Sequence, residues 1–407
     1  MGENGMNLWN HSGRLLASVL LLGAIGGIVA QGETKSDPAI LKLIDQLGDE
    51  KPDARTAAEK ELIEKGLPVL ESLNEAIQSH PDPDVKLRAI LLVSTIRKGA
   101  YGQLRKFAGH KGGGIRHIAV SKDGKRALTG SMDTTVRLWD LESGKELKTL
   151  EGHSSWTWQV AFSPDEKQAF SSGGVDGTIR RWDLETGKEL MKYTGHKNWV
   201  YGIAITPDGK FLFASGAGKK DGEEQGDSTI RQFDVETGKE IQQLEGHTGY
   251  VWKLAISPDG KYLASAGGND NTMKIWNVST GKLVHDLVDA HNGNFIVGVA
   301  FSPDSKFLLS AGRDGFARLW DLATGKELAV YEGFSENPEA VAWSPDGKRF
   351  LASDSNKVHV FDRESGKVVH RFEEHTGKVF AVKFLPDGQR ALSGGVDNIL
   401  RMWGVPK

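Results

Sequence analysis

Five times along this chain a histidine is followed by a hydroxyl residue, an aspartate and a tryptophan at nearly constant spacing. The sets are His110, Thr129, Asp133 and Trp139; His153, Ser172, Asp176 and Trp182; His247, Ser265, Asp270 and Trp276; His291, Ser310, Asp314 and Trp320; and His375, Ser393, Asp397 and Trp403. Histidine, hydroxyl and carboxylate are the parts of a hydrolytic triad, in which the carboxylate orients the imidazole and the imidazole takes the hydroxyl proton. Repetition argues against that chemistry. A catalytic constellation is needed once, whereas a group repeated with an indole as fourth member points to a structural use. Two further copies are degenerate. One keeps His196, Ser215 and Asp227 but ends in Phe233, and the other has Phe334 in place of the histidine, keeps Ser353 and ends in Phe361.

Other chemistry is thinly represented. The sequence holds no GxSxG, HExxH or phosphate-loop pattern, and with no cysteine it has no disulfide, thiolate metal site or thiol nucleophile. His370, Glu373, Glu374 and His375 invite a metal, but His375 belongs to a repeated set. Asp221, Glu223 and Glu224, in an insertion over 216–227, lack the spacing of a calcium loop and read as a solvated loop. The expectation is no catalytic residue, no metal and no cofactor. A formal net charge of −3 offers no basic stripe for a phosphate backbone, so nucleic acid is disfavoured as a partner.

The elements that must position these residues follow from the repeat itself. The histidines stand at 110, 153, 196, 247, 291 and 375, a period near 43 with one member missing. Each repeat closes on an aromatic pair: Trp139-Asp140, Trp182-Asp183, Phe233-Asp234, Trp276-Asn277, Trp320-Asp321, Phe361-Asp362 and Trp403-Gly404. SPDG and TGK segments between them read as hairpin turns. Residues 101–407 therefore resemble the WD40-repeat family, a four-stranded blade per repeat and seven blades in a ring. The resemblance implies that each His, hydroxyl, Asp and Trp set is a buried hydrogen-bonded tetrad within its blade. It also implies that the segment QLRKFAGH, which aligns with KELKTLEGH, supplies the outer strand that the last repeat lacks and closes the ring. The sixth repeat, having lost most of its tetrad, is expected to be the weakest.

Aligning the repeats on the histidine exposes two aromatic columns. Three residues on stand Trp156, Trp199, Tyr250 and Lys378, and five residues on stand Trp158, Tyr201, Trp252 and Phe380. Alternation along a strand puts both columns on one face. In WD40 propellers this is the innermost strand and its first residues look onto the upper mouth of the central channel, so by resemblance Trp156, Trp158, Trp199, Tyr201, Tyr250 and Trp252 gather there, with Phe295 and Phe380 on either side. One reading is an aromatic surface for an extended peptide or a cationic side chain. The other, strongest for the five-residue column, is packing between blades. Arg116, His117, Gln159 and Lys253 are the polar residues in these columns and read as too scattered to name a reaction.

Ahead of the repeats, residues 37–100 carry helical periodicity. Asp37-Pro38, Pro52, Pro68 and Asp82-Pro83 open four helices, and Gly48 and Gly66 end the first two. Ile40, Leu41, Ile44, Leu47, Ala57, Ala58, Leu62, Ile63, Val69, Leu70, Leu73, Ile77, Val85, Leu87, Ile90, Leu91, Val93 and Ile96 are expected to face inward. The wording resembles HEAT-type helical repeats. Arg14 followed by the uncharged run 15–30 has the layout of a signal peptide, with residues 31–36 as linker. An uncleaved membrane anchor and a buried helix are the alternatives. The expected architecture is mainly β, a seven-bladed propeller behind a small all-α domain. The expected role is an exported, non-enzymatic scaffold for protein or peptide partners. The alternatives are a small-ligand or sugar receptor, a hydrolase or lyase at the channel mouth, and an envelope component without a discrete site.

Overall fold

The computed structural model describes residues 37–197, 199–216 and 227–406. The expected signal or anchor at 1–30, the linker at 31–36 and nearly all of the insertion at 216–227 lie outside the described residues. Among the described residues the chain opens with four α-helices: α1 (Pro38–Asp45), α2 (Pro52–Lys65), α3 (Leu70–Ser79) and α4 (Pro83–Tyr101). Asp37 and Asp82 cap α1 and α4, their carboxylates accepting from the backbone N–H of Ala39 at 2.9 Å and Asp84 at 2.8 Å. Ile44, Leu47, Leu62, Leu73, Val85 and Ile96 form one apolar core. Leu41, Ala57, Ile63, Leu87, Ile90 and Leu91, expected inward, are exposed instead. The reason is geometric: α4 carries apolar residues on two faces and its neighbours cover one, so Ala89 and Leu92 are buried in place of Leu87 and Leu91.

Beyond Gly102 the chain is strands. Among the described residues they form seven four-stranded antiparallel sheets. Six sheets are simple meanders, the first running Ile115–Val120, Arg126–Ser131, Val136–Asp140 and Glu146–Leu150. The seventh takes three strands from the last repeat and its outer strand, Gln103–Ala108, from the start of the ring. Phe107 pairs with Leu400 there and is buried against Trp139 of the first blade. The molecule is thus a seven-bladed β-propeller whose ends interlock.

The turns show why this sequence repeats as it does. In SPDG the Ser257 hydroxyl donates to Asp259 at 2.7 Å and accepts from the Tyr262 N–H at 2.9 Å, while Gly260 takes a φ of +73°. On the opposite edge the aspartate after the tryptophan holds the outer turn: the Asp183 carboxylate accepts from the Thr186 N–H at 2.6 Å and hydroxyl at 2.7 Å. Buried apolar side chains fill the spaces between adjacent blades, as where Leu128, Val136 and Leu138 of blade one meet Val160, Ala169 and Trp182 of blade two.

Candidate functional site at the channel mouth

The tetrads come together inside the blades. His247 Nδ1–H donates to the Asp270 carboxylate at 2.7 Å, so its Nε2 is the acceptor, taking the Ser265 hydroxyl at 2.7 Å, and the Trp276 indole N–H donates to that same oxygen at 2.8 Å. The same arrangement links His110, Thr129, Asp133 and Trp139, His291, Ser310, Asp314 and Trp320, and His375, Ser393, Asp397 and Trp403. In blade two the hydroxyl is Ser171, not Ser172: His153 Nε2 and the Trp182 N–H both reach Ser171 at 2.8 Å. The next residue along a strand points to the opposite face, and Ser172 donates to the Tyr201 carbonyl at 2.7 Å. Each tetrad hydroxyl is fully buried and engaged on both sides, so it offers no nucleophile to a substrate.

Burial alone would push the Asp176 carboxyl up, but the hydrogen bond and charge of His153 outweigh it and leave the group below the usual carboxylate range. Arginines two positions ahead of the tryptophan add to this. Arg318 donates to Asp314 at 2.5 Å and Arg401 to Asp397 at 2.9 Å. Their fixed spacing from the tryptophan was the available signal for this additional partner.

The two degenerate blades differ from expectation. Ser215 and Ser353 occupy the position of Ser172, not that of the tetrad hydroxyl, which is Ala214 in blade three and Ala352 in blade six. His196 still meets Asp227 at 2.9 Å, yet its Nε2 has no hydrogen-bond partner. Blade six replaces the polar set by stacked rings: Phe334 lies on His359 with centroids 5.8 Å apart, and Phe350 on Phe361 at 4.8 Å.

At the mouth the inner-strand register fixes the columns. Val160, Leu254 and Val382 oppose Ser171, Ser265 and Ser393, so Trp158, Trp252 and Phe380 are equivalent, with Tyr201 in blade three. Trp156, Trp158, Trp199, Tyr201, Tyr250 and Trp252 form one continuous cluster. Trp158 contacts Tyr201 edge-on at 4.8 Å and Trp252 at 5.6 Å, Tyr201 lies 4.6 Å from Trp252, and Trp199 stacks on Tyr201 at 5.6 Å. Trp158 and Tyr201 are buried within it, whereas Trp199, Tyr250 and Trp252 are half-buried and Trp156 is 38% exposed. Burial pushes the Tyr201 phenol up. Within the deeper column Trp158 and Tyr201 are packed away, whereas Trp252 and Phe380 are half-buried like Trp199 and Tyr250 of the outer column. Gly174 and Gly268 make room for the deep indoles, since a Cβ at Gly268 would lie 2.3 Å from Trp252 Nε1.

Phe380 joins this cluster through a cation and Phe295 stands apart. The Arg116 guanidinium is held between Trp158 at 4.0 Å and Phe380 at 4.2 Å, while Phe295 lies under Arg313 at 5.3 Å. Burial lowers the Arg116 pKa to about 10. A recess of about 270 Å³ opens among Arg116, Trp158, Trp252, Lys253, Glu339 and Phe380, and it shares Lys253, Glu339 and Phe380 with the lining of a channel of about 590 Å³. Arg116, His117, Gln159 and Lys253, which looked scattered in sequence, all line these two spaces. Gln159 is satisfied by the backbone, donating to the Leu254 carbonyl at 3.1 Å. Among the described residues no group of three or more His, Asp or Glu side chains is placed to hold a metal ion.

Ring, tetrads and strand order together define a WD-repeat propeller. The chain belongs to the WD40 family: the WD domain, G-beta repeat matches seven times, at 102–140, 144–183, 187–234, 238–277, 281–321, 325–362 and 366–404. It is similar to the WD repeat-containing protein AAC3 of Dictyostelium discoideum, 30% identical over 41% of this chain and 36% of that protein. The small ribosomal subunit protein RACK1 of Neurospora crassa is 31% identical over 40% of this chain and 53% of its own length. The serine-threonine kinase receptor-associated protein of D. discoideum is 27% identical over 76% and 86%. The chain thus spans about a third to a half of the first two relatives.

Proposed function

We propose that this chain is an exported, non-enzymatic scaffold that captures an extended peptide of a protein partner on the aromatic rim of blades two to four. The observation that carries this reading is the exposure of Trp156 beside the half-buried Trp199 and Tyr250, all resting on the buried pair Trp158 and Tyr201. Such a layer presents large, rigid anchors at little entropic cost. Two relatives bear names that place them with other proteins, on a small ribosomal subunit and in association with a kinase receptor. Closed tetrads in five blades support the absence of catalysis by those residues. Export rests on Arg14 and the uncharged run 15–30.

A peptide array probed with the wild-type chain and with a Trp156→Ala, Trp199→Ala, Tyr250→Ala variant tests the rim. Each anchor contributes about 2 kcal/mol, so a single substitution weakens a retained peptide about thirtyfold and the triple variant loses it. Equal retention by both proteins overturns the rim as the site. Fractionation of cells with N-terminal sequencing of the mature chain tests export, and an intact N-terminus in the cytosolic fraction overturns it.

A further inference from the structure

The channel beneath the aromatic mouth carries more cationic donors than acceptors. Arg116 has both ring-stacked faces occupied but makes no hydrogen bond or ion pair with the described residues, so its edge donors are free. Neither the Lys253 nor the Lys383 ammonium has such a partner among the described residues. His117 accepts the Val160 N–H on Nδ1 at 3.4 Å, which places its proton on Nε2 as a further donor. These groups sit on the inner strands of blades one, four and seven and line the two adjoining spaces, which share Lys253, Glu339 and Phe380. They also sense one another: Arg116 disfavours the Lys253 charge, and Lys253 and Lys383 both disfavour a charge on His117. The carboxylate near them, Glu339, is already held by Lys378 at 2.6 Å and lies 3.9 Å from Arg313.

Lys383 makes the arrangement specific. It follows Val382, and at the equivalent place the other six inner strands carry Ala119, Ala161, Ala204, Ala255, Ala300 and Ala342. Six of these positions carry a methyl group, and at the seventh a lysine lines the channel. A chain of net charge −3 has no general excess of cations that would account for this cluster.

We propose that the central channel is an oxyanion site, in which a carboxylate or phosphate group admitted through the aromatic mouth is bound by the edge of Arg116 and by Lys253, with His117 and Lys383 completing its coordination below. An oxyanion supplies the acceptors that these donors lack, within a channel where charge-assisted hydrogen bonds are stronger than on an open surface. The cluster stands independently of the rim reading. The group is either a free small anion or an acidic residue of a bound peptide.

Calorimetric titration at fixed ionic strength, using sodium phosphate, sodium glutarate, and an acetylated Ala-Ala-Glu-Ala-Ala amide against its Gln counterpart, tests the proposal. Saturable binding of phosphate or glutarate identifies a free anion, and binding of the Glu peptide alone identifies a peptide side chain. In either case Lys253→Met with Lys383→Met weakens binding at least about tenfold, whereas Lys145→Met in an exposed turn does not. Retention of binding by Trp156→Ala separates this site from the rim. Thermal unfolding of the double variant verifies its fold. No saturable binding of any probe, or binding unchanged in the folded double variant, overturns the proposal.

Discussion

The Arg116 guanidinium lies 4.0 Å above the Trp158 ring and 4.2 Å from that of Phe380, so one cation joins the aromatic cluster of blades two to four to blade seven. A planar cation stacks on both rings at once, and a compact ammonium does not. Arg116→Lys is therefore expected to cost about 1 kcal/mol, read as a lower urea midpoint at unchanged slope. It also answers one expectation about the mouth: the cation place between these two rings is already filled from within the chain.

Blade three has a histidine nitrogen without a partner, and the neighbouring blades show the repair. Ala214→Ser places a hydroxyl where Ser171 and Ser265 stand in blades two and four. The variant is expected to gain about 1 kcal/mol in urea unfolding as His196 Nε2 acquires a donor. Ser265→Ala runs the other way, losing about 2 kcal/mol by orphaning both the Trp276 N–H and His247 Nε2. A blade-three amide set that exchanges no faster than the others would count against the orphan as a weak point. Blade six, expected from its missing tetrad to be the weakest, has ring stacking in that place.

Acid should attack the tetrads. Asp176, Asp270 and Asp314 have folded pKa values held below the ordinary 3.8 by their histidines, against the opposing effect of burial. The stability they contribute is present above pH 4 and is lost as pH falls through the folded values. Urea midpoints between pH 5 and pH 2.5 should fall steeply for wild type and less steeply for Asp176→Asn.

Lys253 should act in the neutral-to-alkaline range, with the same direction of pH dependence but from a buried cation that burial disfavours. Burial, with Arg116 beside it and Glu339 only partly compensating, lowers its pKa from 10.5 to about 7. Between those values the unfolded chain binds a proton that the folded one does not, so this group makes stability rise with pH. Relative to Lys253→Met, wild type is expected to gain from pH 7 to pH 10, and parallel curves would show an ordinary lysine.

How much of this was legible beforehand depended on register. The ring, its repeat count and the overlapping outer strand follow from motifs repeated near every 43 residues. Ser171 was missed in favour of Ser172 because the tetrads use two spacings: the hydroxyl lies 18 residues after His247 but 19 after His110 and His291. Two adjacent serines fit both, and strand parity alone decides between them. The same ambiguity concealed Ala214 and Ala352. At the mouth the aromatic columns were visible because large side chains recur, whereas the division between buried Trp158 and exposed Trp156 required the depth of the channel. Lys383 was hidden for a related reason, since its meaning lies in six alanines on other blades. On the helices, hydrophobicity located the elements but not their covered faces, because Leu87 and Ile90 are as apolar as the residues that pack.

Gln103 and Arg401 meet across 298 residues of chain, within the sheet that unites Gln103–Ala108 with the last repeat. During synthesis the first of these strands emerges early and waits, unpaired along its edge, while six blades are made. The circle is latched only when the strand Ile399–Gly404 arrives, so the pairing with the longest loop to close is also the one that joins the two ends of the ring. A ribosome-bound chain arrested before residue 399 should be a protease-sensitive crescent, and release of the final strand should convert it to a resistant ring.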